Sequence, residues 1–337
     1  MSDMQSITLA RRPSGAPVPQ DFALTTGPIP QPSQGEIVVE VSHLSLDPYM
    51  RGRMDDVKSY APSVNLGETM TGQGVGRVIA SNAAGFEVGD LATGMTGWAS
   101  HAALKATEAR KLDTNLKPSL ALGVLGMPGF TAWTGLRKYG RPQAGETLVI
   151  AAATGPVGAM VGQLAKAAGL RTIAIAGGAE KCAIAKEQFG FDEALDHRAY
   201  EDAGALRNAL ADVAPDGVDI YWENVAGKVL EAVMPLMNVG GRIPVCGMIS
   251  WYGGAEESQD RLPSMWRSIL VKRLHVSGLI IFDHWDDYPT FLAEVAPKVL
   301  SGEIKYLEDV AQGLAAAPEA FISMLKGGNT GKQIVAL

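Results

Sequence analysis

The feature that most narrows the fold of this chain is a repeat in its middle: short apolar runs, separated each time by a stretch of helical periodicity. The runs fall at residues 147–153, 171–176, 218–222, 242–246 and 274–282, and the helix-period stretches at 156–169, 179–190, 201–213, 226–238 and 264–273. Strands that read as continuous apolar runs are covered on both faces. Strand–helix alternation of this length builds right-handed βαβ units and hence a doubly wound parallel sheet, an α/β fold. In the first helix Val157, Met160, Val161, Leu164 and Ala168 recur at three- and four-residue intervals, which predicts one buried stripe. Gly169 stands where a C′ glycine would end that helix.

Either side of this repeat the texture differs. The first ~120 residues are short alternating runs punctuated by Gly and Pro, such as 36–41 and 74–79, and read as a compact β unit. A helical stretch around 129–139 leads into the repeat. The end, Gly331 to Leu337, carries a strand pattern with no helix after it and is expected to return to the β-rich part. Two domains are expected, one discontinuous: residues 1–125 with 304–337, and residues 126–303. A length of 337 residues is ample for two cores.

Composition removes several classes of function. The net charge of −7 argues against nucleic acid as a partner, although it permits a local basic spot for one phosphate. No apolar run is long enough to span a membrane, and the opening MSDMQSITLARRP lacks the apolar stretch of a secretory signal. Two cysteines, Cys182 and Cys246, cannot make a disulfide scaffold or a thiolate-rich metal site, and a reducing cytoplasm is the expected compartment.

The segment Ala151-Ala152-Ala153-Thr154-Gly155-Pro156-Val157-Gly158 follows a strand and opens a helix. Orphan N–H groups and the positive helix end make that junction the place for a dinucleotide pyrophosphate. Gly155 would admit the phosphate close to the backbone, Gly158 would let helix and sheet approach, and Pro156 suits a first helical turn. The full fingerprint has a third glycine where this chain has Ala153, so an ordinary tight βα turn stays open as a reading. An NAD site places a carboxylate at the tip of the second strand. Here that strand ends Ala176-Gly177-Gly178 and is followed by Lys181, which suits the 2′-phosphate of NADPH, with Glu180 beside it as a counter-indication.

A catalytic zinc is not expected. None of the five histidines, His43, His101, His197, His275 and His284, pairs with a cysteine or another histidine at ligand spacing. His43 and His101 read as structural or surface residues. No Gly-x-Ser-x-Gly elbow or zinc-protease helix motif occurs either.

Seven segments in order carry a family resemblance: Asp47–Arg51, Leu125–Ala132, Thr154–Gly158, Gly177–Cys182, Glu223–Val225, Arg242–Ser250 and Gly328–Lys332. Through them the chain resembles, nearly end to end, the zinc-independent medium-chain dehydrogenases/reductases of the leukotriene 12-hydroxydehydrogenase / 15-oxoprostaglandin 13-reductase group, near its bacterial NADPH-dependent curcumin and 2-alkenal reductases. The resemblance implies a Rossmann domain, a GroES-like β-rich domain built from both chain ends, an active cleft between them, and a homodimer. Carried over by motif, Gly155, Pro156, Val157 and Gly158 would hold the pyrophosphate of NADPH or NADP+, and Lys181 the 2′-phosphate. Met127, Thr131, Asn224, Cys246, Gly247, Met248, Ile249, Ser250, Trp251, Tyr252, Leu279, Ile280, Ile281 and Asn329 would line the nicotinamide and its ribose. The family commonly has a tyrosine that grips the adenosine end where this chain reads Asp196-His197-Arg198, so Arg198 or a protonated His197 becomes the substitute at the 2′-phosphate. Trp251 is a second departure.

The reaction so implied is reduction of a carbon–carbon double bond conjugated to a carbonyl in an apolar enone or enal. Without a metal, the enolate charge needs a positioned hydrogen-bond donor. Tyr252 is the first candidate and Tyr49 the second, with a pocket-wall role open for each. The competing readings are an NADPH:quinone oxidoreductase, oxidation of an allylic alcohol, and a non-catalytic NADPH-binding redox sensor.

Overall fold

The computed structural model describes residues 3–253 and 262–337. The chain forms two compact units, Met1–Gly126 with Glu308–Leu337, and Met127–Leu307.

The second unit is built on six parallel strands. Their spatial order is Glu193–Asp196, Arg171–Ala176, Thr147–Ala151, Val218–Trp222, Met237–Val245 and His275–Gly278. In chain order this is 3-2-1-4-5-6, the doubly wound arrangement of a dinucleotide-binding sheet, with the order reversing between Thr147–Ala151 and Val218–Trp222. All five residues of Thr147–Ala151 are buried, as befits a central strand covered on both faces. Val149, Ile173, Ile175, Val218 and Tyr221 join Leu206, Leu210, Val229 and Val233 from the helices in one core.

Several local expectations are corrected. The strand Glu193–Asp196 was not anticipated, because four half-buried residues at a sheet edge carry little apolar signal. The run expected as one strand over 274–282 is the strand His275–Gly278 followed by 3-10 turns over Ile281–Asp287. The helix expected over 226–238 spans Gly227–Val233 and tightens to a 3-10 turn at Met234–Leu236, where Pro235 removes a backbone donor. The strand Met237–Val245 accordingly starts five residues before the expected 242.

The loop helix, Pro156–Ala167, buries Gly158, Ala159, Met160, Val161, Gly162 and Ala165. Val157 and Leu164 are only half-buried and Ala168 is exposed, so the buried stripe is rotated from the expected one. The cause is close packing on small residues: a Cβ on Gly162 would lie 2.0 Å from the Phe191 ring. Gly169 ends the helix as expected. It has φ +83°, its N–H donates to Lys166 O (3.0 Å), and Leu170 N–H donates to Ala165 O (3.1 Å), a Schellman closure.

The first unit holds a seven-stranded mixed sheet and a separate hairpin of Met4–Leu9 with Phe22–Gly27. Its long strand, Glu36–Ser45, pairs antiparallel with Gly74–Ser81 and His101–Lys105, and at Ser45 with Ile334 of the final strand Lys332–Ala336. That final strand pairs in parallel with Glu308–Gln312. Both chain ends thus complete one β-rich unit. His43 and His101 lie in these strands, each with its Nδ1 against the hydroxyl of the preceding serine. No helix among the described residues is long and apolar enough to cross a membrane.

Candidate active site

The strand Thr147–Ala151 gives way to a loop whose shape explains its residues. Ala152 has φ +53°, in the left-handed region, whereas Ala153 is fully buried and its N–H donates to Ile175 O (3.3 Å). The strained backbone position is therefore 152, which removes the need for a glycine at 153. Gly155 caps the loop helix with extended backbone, and Pro156 opens the first turn. A Cβ on Gly158 would sit 2.3 Å from Ala152 O and 2.9 Å from Ala153 Cα, so only glycine lets the helix start this close to the strand. The helix N-terminus thereby points its unsatisfied N–H groups at the carboxyl edge of the sheet, a fit for a pyrophosphate.

At the tip of the second strand, Arg171–Ala176, a group of cations gathers. A Cβ on Gly177 would lie 2.9 Å from Arg198 Nε and 3.1 Å from His197 Nε2, so both side chains cross that glycine. Lys181 is half-buried on the helix Ala179–Glu187, close enough to contribute to depressing the His197 pKa. Lys228 supports the loop from behind, its Nζ donating to His197 O (2.8 Å) and Tyr200 O (2.9 Å). Asp196 is the carboxylate of this corner, and it is spoken for: Oδ1 accepts from Gly178 N (2.8 Å) and Arg198 N (2.9 Å). Burial works to raise its pKa, but those N–H donors and the neighbouring cations outweigh burial and hold it below the ordinary value. Burial first, then Lys228 and Arg198, keep His197 below its ordinary 6.5. His197 and Arg198, the two substitutes expected at the 2′-phosphate, thus lie side by side at the strand tip with Lys181 nearby.

Asn224 sits where the strand order reverses. Its Nδ2 donates to Ala151 O (2.9 Å) and its Oδ1 accepts from Trp222 Nε1 (3.1 Å), tying the tips of the two central strands together. The preceding Glu223 is 2% exposed, and its Oε1 accepts from Val225 N (2.6 Å) and Ala226 N (2.7 Å). Burial raises its pKa, against the lowering effect of those donors. This clamp supports the turn at Ala226, another non-glycine residue with positive φ, +68°. On the 223–225 segment rides the next loop: Cys246 N donates to Glu223 O, Ile249 N to Asn224 O and Ser250 N to Val225 O. Cys246 is held mainly by burial at a pKa of about 12, a neutral thiol rather than a nucleophile.

Tyr252 closes this loop on itself. Its hydroxyl oxygen accepts from Met248 N (3.3 Å) and stands 3.3 Å from where a Gly247 Cβ would be. An oxygen that accepts an N–H is a better O–H donor. Met248 and Ser250 are exposed, as is Trp251, while Gly247, Ile249 and Tyr252 are half-buried. Leu279 N donates to Val245 O (3.0 Å), and Leu279 packs with Trp222 where a Gly135 Cβ would be; Ile280 is half-buried and Ile281 buried. Met127 and Thr131 lie on the helix Met127–Gly135, with Thr131 Oγ1 donating to Met127 O (2.8 Å).

Tyr49 and Asn329 belong to the first unit. Tyr49 precedes the single helical turn Met50–Arg53, and Asn329 lies in the turn before the final strand, its Nδ2 donating to Gly331 O (2.7 Å). Lys332 staples the two segments. Its buried Nζ donates to Asp47 Oδ1 (3.0 Å), Leu46 O (2.5 Å) and Gln333 O (3.1 Å), and Ser45 Oγ donates to Asp47 Oδ2. Burial lowers the Lys332 pKa and Asp47 opposes that. The pairing of Asp47–Arg51 with Gly328–Lys332, and the clamps by Glu223 and Lys228, were not legible as such. A buried lysine or glutamate looks like a surface residue until its partner is known. Among the described residues, no three His, Cys, Asp or Glu side chains are grouped so as to hold a metal ion.

Comparison with known proteins places this arrangement. Residues 5–112 match the family described as the N-terminal domain of oxidoreductase, and residues 156–297 the family described as zinc-binding dehydrogenase. The chain is 47% identical to the NADPH-dependent curcumin reductase of Escherichia coli (strain K12), over 97% of this chain and 95% of that protein. It is 41% identical to the NADP(+)-dependent 2-alkenal reductase of Nicotiana tabacum, over 89% of this chain and 87% of the relative. The crystal structure of CurA from Vibrio vulnificus in complex with NADPH superimposes with a TM-score of 0.93 at 49% identity, covering 98% of each chain. The chain therefore belongs to the medium-chain dehydrogenase/reductase family, in its zinc-independent group of NADPH reductases.

Proposed function

We propose that the protein reduces the carbon–carbon double bond of α,β-unsaturated ketones or aldehydes with NADPH. The observation that carries the cofactor half is the joint geometry of the Ala152–Gly158 loop and the Lys181, His197 and Arg198 cluster one strand away. It offers a helix N-terminus for a pyrophosphate and positive charge, with no uncommitted carboxylate from Asp196, for a 2′-phosphate. The acceptor half is supported by the relatives named for curcumin, 2-alkenal and (+)-pulegone reduction.

When bound, the dihydronicotinamide supplies hydride to the β-carbon of the acceptor. The chain's own residues do the rest. Gly155 to Gly158 hold the pyrophosphate, Lys181 and Arg198 the 2′-phosphate, and the 246–252 loop with Asn224, Met127, Thr131, Leu279, Ile280, Ile281 and Asn329 orients the nicotinamide end. Tyr252, or Tyr49 as the second choice, donates a hydrogen bond to the carbonyl oxygen, where negative charge builds up, and the α-carbon takes its proton from solvent or from the tyrosine. A neutral phenol suits the role because its ordinary pKa near 10 keeps its proton at pH 7.

The protein is proposed to work as a homodimer in the cytoplasm, with residues 1–125 and 304–337 as the catalytic domain and 126–303 as the cofactor domain. The outer strand His275–Gly278 leaves one edge unpaired among the described residues, with Val276 exposed. The helix leading to it exposes Trp266 (62%), Leu270 (76%) and Val271. An open edge beside an apolar helix is a surface that a second copy would cover.

The test is NADPH consumption against alkyl enals, cyclic enones, aryl enones and quinones, with product identification. The reading predicts saturated carbonyl products from the enals or enones. Turnover of quinones alone, or of no acceptor, would contradict it.

A further inference from the structure

Two arginines stand two residues apart in the helical turn after Tyr49, and they are treated differently. Arg51 is neutralised, its Nη1 lying 2.7 Å from Asp55 Oδ1 while Nη2 donates to Gly15 O (2.8 Å). Arg53 is equally buried, at 5% exposure, yet no carboxylate of the described residues lies within ion-pair distance of it. Its Nη1 donates to Ala61 O (2.6 Å), and its guanidinium carbon lies 4.3 Å from the centre of the Tyr60 ring and 5.7 Å from that of Tyr49. A buried cation without an anion is costly, and here aromatic faces take the anion's place.

We propose that Arg53 is a positioning residue for the reaction, its guanidinium between the rings of Tyr49 and Tyr60 fixing the angle at which Tyr49 presents its hydroxyl. This rests on the reading of Tyr49 as a donor on the acceptor side. Three things support it. Arg53 follows Tyr49 by four residues across the helical turn Met50–Arg53, so the two side chains share one face. The Ala61 bond closes the 54–61 loop, which carries Tyr60, back onto the same guanidinium. Burial and the charge of Asp47 push the Tyr49 phenol up in pKa, and Arg53 acts in the opposite direction, keeping its proton easier to donate.

A double-mutant cycle on the full-length enzyme separates positioning from packing. With an enone acceptor, Arg53→Met should lower kcat about tenfold and leave KM for NADPH unchanged, as expected when a reacting group is misaligned rather than removed. Tyr49→Phe keeps the ring and removes the hydroxyl, so Arg53→Met should add no further loss in that background. Arg53→Lys keeps the charge without the planar stack and should recover part of the loss. If Arg53→Met does not fold, Tyr60→Leu runs the same cycle from the exposed leaf of the stack. Losses that multiply, or wild-type kcat in Arg53→Met, would overturn the proposal. Wild-type kcat in Tyr49→Phe would remove Tyr49 from the reaction and the proposal with it. A wild-type enzyme inactive on every enone would instead sink the proposed function itself.

Discussion

At the scale of single residues, the proposed site makes selectivity between cofactors depend on a few charges around Gly177. Lys181→Ala should raise KM for NADPH by about 10- to 100-fold, the worth of one charge-assisted hydrogen bond, and change KM for NADH little. Equal changes for both cofactors would mean that Lys181 does not read the phosphate. Tyr252→Phe should lower kcat by about 100-fold with NADPH binding intact, as expected for loss of one positioned donor. His197 supplies a pH signature. Its pKa is depressed in the folded chain, so the unfolded chain binds the extra proton first, and stability present above 6.5 is lost as pH falls below it. His43, depressed mainly by burial, adds to the same slope. Thermal melts of the protein alone should show Tm falling below pH 6.5, less steeply in His197→Gln; added NADPH should offset the fall, since a 2′-phosphate favours the imidazolium. A flat profile would contradict the assignment.

At the scale of elements, the phosphate loop shows what could be read in the sequence and what could not. Its place between strand and helix was legible from periodicity, and Pro156, Gly158 and Gly169 stand where their conformational roles require. The missing third glycine was not interpretable until the positive φ was found at Ala152 rather than Ala153. Ala152→Gly should therefore stabilise the protein by about 0.5–1 kcal/mol, relief of left-handed strain exceeding the entropy of an added glycine. Gly158→Ala should cost about 1–3 kcal/mol through its clash with Ala152 O and should weaken NADPH binding as well. Denaturation midpoints of the two variants check both signs. The face of the loop helix was misplaced because periodicity weighs large apolar residues, whereas Gly158 and Gly162 make the close contact. The edge strand Glu193–Asp196 stayed hidden for a related reason: its residues are half-buried and its anchor, Asp196, bonds to backbone.

At the scale of the whole molecule, the parallel sheet and the β-rich unit completed by both chain ends were legible, the first from alternation and the second from a lone terminal strand. The long-range pairs were not: Lys332 with Asp47 spans nearly the full chain, and nothing local to either residue announces the other. The exposed edge at Val276 with Leu270 belongs to this scale too. Leu270→Glu with Val276→Lys should convert a dimer to a monomer in light scattering, since charges on an edge and its apolar neighbour oppose pairing. A wild-type monomer would contradict the proposed assembly. The central claim concerns which carbon is reduced, and NADPH carrying deuterium at the transferable C4 position tests it directly. Given an acyclic enone, the account predicts a saturated ketone with the label on the former β-carbon. An allylic alcohol labelled at the carbonyl carbon would contradict it.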